Sequence, residues 1–228
     1  MEIFYERTQR LLGEEAVARL KATHVCVLGV GGVGSWVAES LIRTGIGQMS
    51  IVDFDTVDIT NINRQVQALH STVGQVKVEA MKTRLLDINP EATIHSFNEK
   101  IEPDHLPGCL NEADFVVDCI DDVSAKVAII KWCYEHQRFI VSSMGTGNKI
   151  GTLPFKIVDI SKTKVCPLAR VVRQRLRKEG IYSGVPVLYS EELPFREVIG
   201  REKPGTVCFS PAIAGLELAC YIVQEAIK

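Results

Sequence analysis

Gly29, Gly31, Gly32 and Gly34 stand in the run Gly29-Val30-Gly31-Gly32-Val33-Gly34, directly after the apolar stretch His24–Leu28. Glycines at this spacing let the backbone approach a phosphate with no Cβ in the way. They lead into a helical pattern whose first-turn N–H groups and positive end attract an anion. Asp53 closes the next apolar run, where a carboxylate can accept bonds from ribose hydroxyls. Asp55 follows in the loop, placed either to face phosphate through a metal or to cap a turn. Arg64, within Thr60-Asn61-Ile62-Asn63-Arg64-Gln65, offers forked donors to phosphate oxygens. Lys77 falls in the first turn of a later helical pattern, an unfavourable place for a cation that a bound anion would relieve. Asp121 and Asp122 end a further apolar run. Adjacent carboxylates beside phosphate suit Mg²⁺, and the same pair could instead cap the helix that follows. Together the cations point to a nucleotide's terminal phosphates, which NAD lacks.

Strands alternating with helices must position these residues. One or two helices occupy Phe4–Leu20, followed by the strand, glycine turn, helix and strand of Thr23–Asp55. A loop over Phe54–Leu69 is rich in Asp, Asn and Gln. A helix over Gly74–Ile88 stops at Asn89-Pro90, and a strand covers Ala92–Phe97. The pattern then predicts a short helix at Pro103–Leu110, a buried strand at Asp114–Ile120, a helix at Ser124–His136 and a strand at Phe139–Ser143. Beyond it lie a small-residue loop (Ser142–Asn148), an antiparallel strand (Phe155–Ile160) and a helix over Pro167–Lys178 that proline opens and Gly180 closes. A charged loop follows at Gly200–Gly205, and a last helix runs to Ile227 with Ser210 as N-cap and Pro211 as its first residue.

This alternation predicts an α/β fold: a doubly wound, mainly parallel Rossmann-like sheet with helices on both faces and a C-terminal extension of mixed strands and helices. Residues 1–228 read as a single domain. Residues 1–20 form a helical arm, 21–144 the nucleotide-binding core, and 145–228 a substrate-side extension with its closing helix.

Net charge is −2, so global electrostatics mark neither a nucleic-acid binder nor an acidic-substrate specialist. The seven cysteines, at 26, 109, 119, 133, 166, 208 and 220, are irregularly spaced and contain no CxxC pair. They read as reduced core thiols, with no four-cysteine zinc site. His24 and His70 read as packed or hydrogen-bonded. The charged N-terminus lacks a signal segment, and the apolar stretch Ala212–Val223 contains Glu217 and is short for a membrane span. The expectation is a cytoplasmic protein without membrane contact.

The motifs GVGGVGSWVAESLIRTGIG, DFD at 53–55, TNINRQ at 60–65, GQVK at 74–77 and DCIDD at 118–122 resemble the ubiquitin-activating-enzyme superfamily, in order over Leu20–Met144. Its bacterial members include the adenylating partners of thiamine and molybdopterin sulfur carriers. The resemblance implies an ATP site made of Gly29, Gly31, Gly32, Gly34, Asp53, Asp55, Asn61, Arg64, Gln65, Lys77 and Asp121. It implies ribose on Asp53, phosphates on Arg64 and Lys77, and Mg²⁺ on Asp121 near the attacked α-phosphate, with Arg64, Lys77 and Asp121 catalytic. It also implies a homodimer in which Arg7 or Arg10 reaches the phosphates from the partner subunit. The family usually has Asn where Asp122 stands.

The second half, SSMGTGNKIGTLPFKIVDISKTKVCPLARVVRQRLRKEGI, then VLYSEE and PGTVCFSPAIAG, is similar to the branch of that superfamily that dehydrates threonylcarbamoyladenosine in tRNA. This implies ATP-dependent cyclisation of the nucleoside beside the anticodon, through adenylation of the threonyl carboxylate. The alternative is adenylation of the C-terminal glycine of a ubiquitin-like sulfur carrier; the carrier activators compared carry paired CxxC zinc ligands, which this chain lacks. An NAD-dependent reductase and a nucleotide-sensing scaffold are rivals of other classes. A sulfur-transfer partner of the cysteine desulfurase type and a monovalent cation stay open.

The residues themselves argue for RNA in one place. Lys162–Lys178 holds Lys162, Lys164, Arg170, Arg173, Arg175, Arg177 and Lys178 with no acid. Arg170, Arg173 and Arg177 fall on one helical face, the footprint of a phosphate-backbone contact or of a merely solvated surface. Cys166 precedes this helix among cations, which favours a thiolate. An intramolecular cyclisation needs no thioester, so Cys166 is read as non-catalytic.

Overall fold

The structure, a computed structural model, describes residues 4–150, 154–195 and 204–228. Helices α1 (Glu6–Leu12) and α2 (Glu14–Ala22) turn against each other at Gly13, whose φ of +88° suits glycine. Then come β1 (His24–Leu28), α3 (Gly34–Thr44), β2 (Gln48–Val52), α4 (Lys77–Ile88) and β3 (Thr93–Phe97). They are followed by β4 (Phe115–Asp118), α5 (Val123–Glu135), β5 (Phe139–Ser143), β6 (Phe155–Asp159), α6 (Pro167–Lys178), β7 (Pro186–Ser190) and α7 (Phe209–Ala226).

The strands form one sheet in the order β3-β2-β1-β4-β5-β7-β6, parallel throughout except for the antiparallel pair β6–β7. Every residue of β1 is buried, as expected for a central strand covered on both faces. On one face Val37 and Leu41 of α3, Met81 of α4 and Leu218 of α7 share a core. On the other, Ile129 of α5 packs with Ala169, Val172 and Leu176 of α6. The chain winds outward from β1 to β3, then returns to lay β4 on the other side of β1. The loops after β1 and β4 therefore diverge, and a crevice opens at the carboxyl ends of the strands.

The structure corrects several expectations. No helix spans Pro103–Leu110; a 3₁₀ turn at Gly108–Asn111 stands there instead. Strand β7 was not expected; it inserts between β5 and β6, so the antiparallel strand sits at the sheet edge. Helix α7 begins at Phe209, which puts Ser210 inside it, and the Ser210 hydroxyl donates to the Thr146 carbonyl at 3.0 Å instead of capping the helix. Within the expected charged loop, Gly200–Lys203 lie outside the described residues. All the cysteines are free, but Cys208 and Cys220 are exposed and not core thiols. Among the described residues no helix is long and apolar enough to cross a membrane.

Candidate active site

One cavity of about 780 Å³ runs along the carboxyl ends of the parallel strands. Its wall passes from Asp53 after β2, over Gly29–Gly32 after β1 and Asp121 after β4, to Gly145–Lys149 after β5 and Glu192 after β7. Four strand spacings separate β2 from β7, roughly 19 Å in all. That is room for a nucleotide with a second ligand beside it.

At the β2–β1 end the glycines form a tight turn on the cavity wall. Gly29 has φ +84° and packs against the Cys119 carbonyl. A Cβ on Gly34 would stand 1.8 Å from the Gly29 carbonyl oxygen, so only glycine lets α3 start so close to the loop. A Cβ on Gly31 would meet nothing within 4 Å, because that position faces the open cavity. The Gln67 amide donates to the Val30 carbonyl at 2.7 Å and braces the loop from below.

Asp53 completes this end. Its carboxylate accepts from the Val30 N–H and the Asp55 N–H, both at 2.9 Å, which ties β2 to the glycine turn. Burial raises its pKa above the ordinary value, with Lys77 the largest opposing influence. Lys77 is the first residue of α4; its side chain is 7% exposed and its ammonium pairs with Asp55 at 2.7 Å. The expected awkward cation is thus held by a carboxylate in the same wall. Arg64 lies along Gly32 and donates to the Thr60 carbonyl and the Asn63 side chain, both neutral, which leaves its charge without an ion pair among the described residues.

Asp122 accepts from the Ala125 N–H at 2.8 Å and caps α5, which was one of its expected readings. Asp121 is exposed on the cavity wall, with no hydrogen-bond partner among the described residues. Mg²⁺ binds through one or two carboxylates plus substrate phosphates and water, and a free carboxylate one strand from the glycine loop fits that habit. No cluster of three or more metal-ligating side chains occurs among the described residues.

Beneath this wall lies a network that sequence reading missed. Lys126 of α5 and Asp118 at the end of β4 are both fully buried and pair at 2.7 Å. The Lys126 ammonium also donates to the Ser142 hydroxyl and the Ser143 carbonyl, and the Ser142 hydroxyl donates to Asp118. All three ammonium donors are satisfied, and the ends of β4 and β5 are locked to α5. DCIDD contains Asp118, yet nothing in a lone Lys126 marks it as the partner.

The far end is assembled from distant segments. Asn148, at φ +57°, exchanges bonds with Gly205 and accepts from the Phe195 N–H. Lys149 is 6% exposed, and its ammonium donates to the Glu192 carbonyl. Cys166, 3% exposed, and Leu168 bring the start of α6 into the wall. Cys119 also lines the cavity, but burial and then the Asp118 carboxylate push its thiol well up.

Thus Gly29, Gly31, Gly32, Asp53, Asp55, Arg64, Lys77 and Asp121 converge on the cavity. Gly34, Asn61 and Gln65 do not line it. Asn61 caps the turn begun by Asp58, and Gln65 is buried beside Gln67. Arg7 and Arg10 lie on α1 away from this chain's own cavity, with Arg10 paired to Glu6. On α6 the expected face is broken, because Arg173 turns inward onto the Thr163 carbonyl at 2.9 Å. Arg170 and Arg177 stay exposed, as do Lys162 and Lys164 on the approach to the helix. His24 is buried and bonded to Ser50, as expected, whereas His70 is exposed.

The chain matches the ThiF family model over residues 5–228. It is 40% identical over 240 residues to the tRNA threonylcarbamoyladenosine dehydratase of Bacillus subtilis (strain 168), across 98% of this chain and 94% of that protein. The enzyme of the same name from Escherichia coli (strain K12) is 37% identical over 215 residues, across 91% and 79%. The crystal structure of E. coli tRNA N6-threonylcarbamoyladenosine dehydratase, TcdA, in complex with ATP aligns with a TM-score of 0.88 at 32% identity, covering 98% of this chain and 93% of that one.

Proposed function

This chain belongs to the ThiF family, and on that premise we propose that it is an ATP-dependent dehydratase that closes the threonylcarbamoyl side chain of a modified tRNA adenosine into a ring. The observation that carries the reading is a single cavity with a complete nucleotide end (Gly29, Gly31, Asp53, Arg64, Lys77) and an open far end beyond Asp121. The 40% identity to a dehydratase, spread over nearly the whole chain, supports the far end as well as the nucleotide end.

A carboxylate oxygen is a poor leaving group, so the acid must first be activated. The threonyl carboxylate attacks the α-phosphorus of ATP; an oxygen–phosphorus bond forms and the bond to pyrophosphate breaks. The carbamoyl group then attacks the acyl carbon, loses a proton, and AMP departs with the carboxylate oxygen. Asp53 holds the ribose, while Arg64 and Lys77 stabilise charge developing on the phosphates, which is electrostatic work. Asp121 would hold Mg²⁺, which supplies further positive charge at the α-phosphate when bound. Both reacting groups belong to one nucleoside, which largely supplies their proximity. The chemistry as written requires no protein thiolate, sulfur-transfer partner or monovalent cation.

The tRNA backbone lies along Lys162, Lys164, Arg170 and Arg177, outside the mouth of the far end. The protein works as a homodimer in the cytoplasm. The exposed Phe209, Ile213 and Leu216, a stripe on α7, form part of the dimer contact, and Arg7 or Arg10 serves the partner's phosphates.

The test is incubation with ATP, Mg²⁺ and threonylcarbamoylated tRNA, with the released nucleoside weighed for loss of one water. Lys77→Ala and Asp121→Ala should each lower kcat by about 10²–10³. Normal turnover by either variant refutes the site assignment. Pyrophosphate exchange stimulated by a ubiquitin-like carrier and not by the modified tRNA would favour the carrier-activating alternative.

A further inference from the structure

The cations of the cavity wall differ in how they are balanced. Lys77 pairs with Asp55 and Lys100 with Glu102, each at 2.7 Å. Arg64 and Lys149 have no carboxylate within ion-pair distance among the described residues, and they stand at opposite ends of the wall. Arg64 serves the phosphate end. Lys149 is the more demanding case, because a lysine residue only 6% exposed requires compensation for the water its charge has lost. It has three donors, and the Glu192 carbonyl takes one of them. Burial lowers its pKa, opposed by the Cys166 thiol and Glu192.

The start of α6 faces the same place. Val165, Cys166, Pro167 and Leu168 line the cavity, Cys166 provides no side-chain cap, and Pro167 has no N–H. The N–H groups of Leu168 and Ala169 precede the first intrahelical bond, which Arg170 makes to Cys166. A buried cation and a positive helix end thus meet about two strand spacings, roughly 10 Å, from the glycine loop.

We propose that Lys149 and the first turn of α6 form a carboxylate-binding subsite that seats the acid to be adenylated. One carboxylate oxygen lies on Lys149 while the other faces the α-phosphate. Once the acyl–phosphate bond has formed, Lys149 holds the carbonyl oxygen and polarises it towards attack by the carbamoyl group. The subsite rests on the adenylating reading of the cavity, and it names the recognised group as a free carboxylate next to an apolar wall of Met144, Leu168 and Pro194.

The experiment compares N6-threonylcarbamoyladenosine with its methyl ester, titrated by NMR into protein loaded with a non-hydrolysable ATP analogue. Wild-type protein should bind the acid at least tenfold more tightly than the ester. Lys149→Met should lose that preference, with ester and ATP-analogue affinities unchanged within twofold, and Lys149→Arg should keep part of it. The subsite is overturned if wild-type protein fails to bind the acid or binds both ligands alike, or if Lys149→Met still prefers the acid or loses nucleotide affinity to the same extent. Turnover of threonylcarbamoylated tRNA is scored separately. Turnover without acid preference sinks the subsite alone, whereas acid preference through Lys149 without a cyclic product sinks the dehydratase reading alone.

Discussion

Lys126→Met tests the buried network under the cavity. The substitution keeps the length of the side chain but removes the cation that pairs with Asp118 among the described residues, in a place where both side chains are fully buried. Asp118 would keep the Ser142 hydroxyl on one oxygen and the Ile120 N–H on the other, but its charge would be uncompensated. Breaking a buried pair from one side costs about 3–5 kcal/mol. For a chain of this size each kcal/mol lowers Tm by about 2–4 °C, so the expected fall is roughly 6–20 °C. Adding Asp118→Asn removes the stranded charge while keeping an acceptor for Ser142. The double variant should therefore be more stable than Lys126→Met alone, with a coupling of about 0.5–3 kcal/mol. Thermal and urea unfolding of the four proteins of the cycle measure this. A Lys126→Met protein melting within about 2 °C of wild type, or a double variant no more stable than the single, refutes the network as the support of the cavity floor.

The glycines give a paired prediction. Gly31→Ala should leave stability within about 0.5 kcal/mol, because its methyl enters open space, yet weaken ATP by about tenfold or more through the approach that methyl blocks. Gly34→Ala should instead destabilise the fold by about 1–3 kcal/mol or more, since backbone must move away from its Cβ; calorimetry with and without ATP separates the two. Asp53 sets a pH dependence. Its folded pKa is raised by burial, so its contribution to stability is full below the unfolded value of about 4 and is lost as pH rises through the folded value. Ribose binding runs the other way: affinity should fall as pH drops through the raised value, and Asp53→Asn should lack that part of the profile. On α6, Arg170→Ala and Arg177→Ala should each reduce the salt slope of tRNA binding by about one. Arg173→Ala should act mainly on Tm, because its guanidinium is committed to Thr163.

Much of the nucleotide end was legible because its parts are close in the chain. A βαβ unit forces its glycine turn, helix start and second-strand tip together, so the spacing of Gly29, Gly34 and Asp53 already carried geometry. Lys77 was placed correctly on the helix, but its buried pairing with Asp55 was not foreseen. Asn61 and Gln65 were drawn into the site by position in a motif, whereas the fold spends their side chains on a turn cap and a buried amide cluster. The C-terminal strand order was less legible, since a short run such as Pro186–Ser190 has no period that distinguishes strand from loop.

Sequence alone determined the fold class, the glycine turn on the cavity wall and the cations nearest to it, because local spacing converts directly into local shape. Tertiary structure alone decided which lysines are buried. Lys149 meets Glu192 across 43 residues and Lys126 meets Ser142 across 16. A lysine looks the same in sequence whether solvated or enclosed; the difference lies in which remote segments fold over it and remove its water.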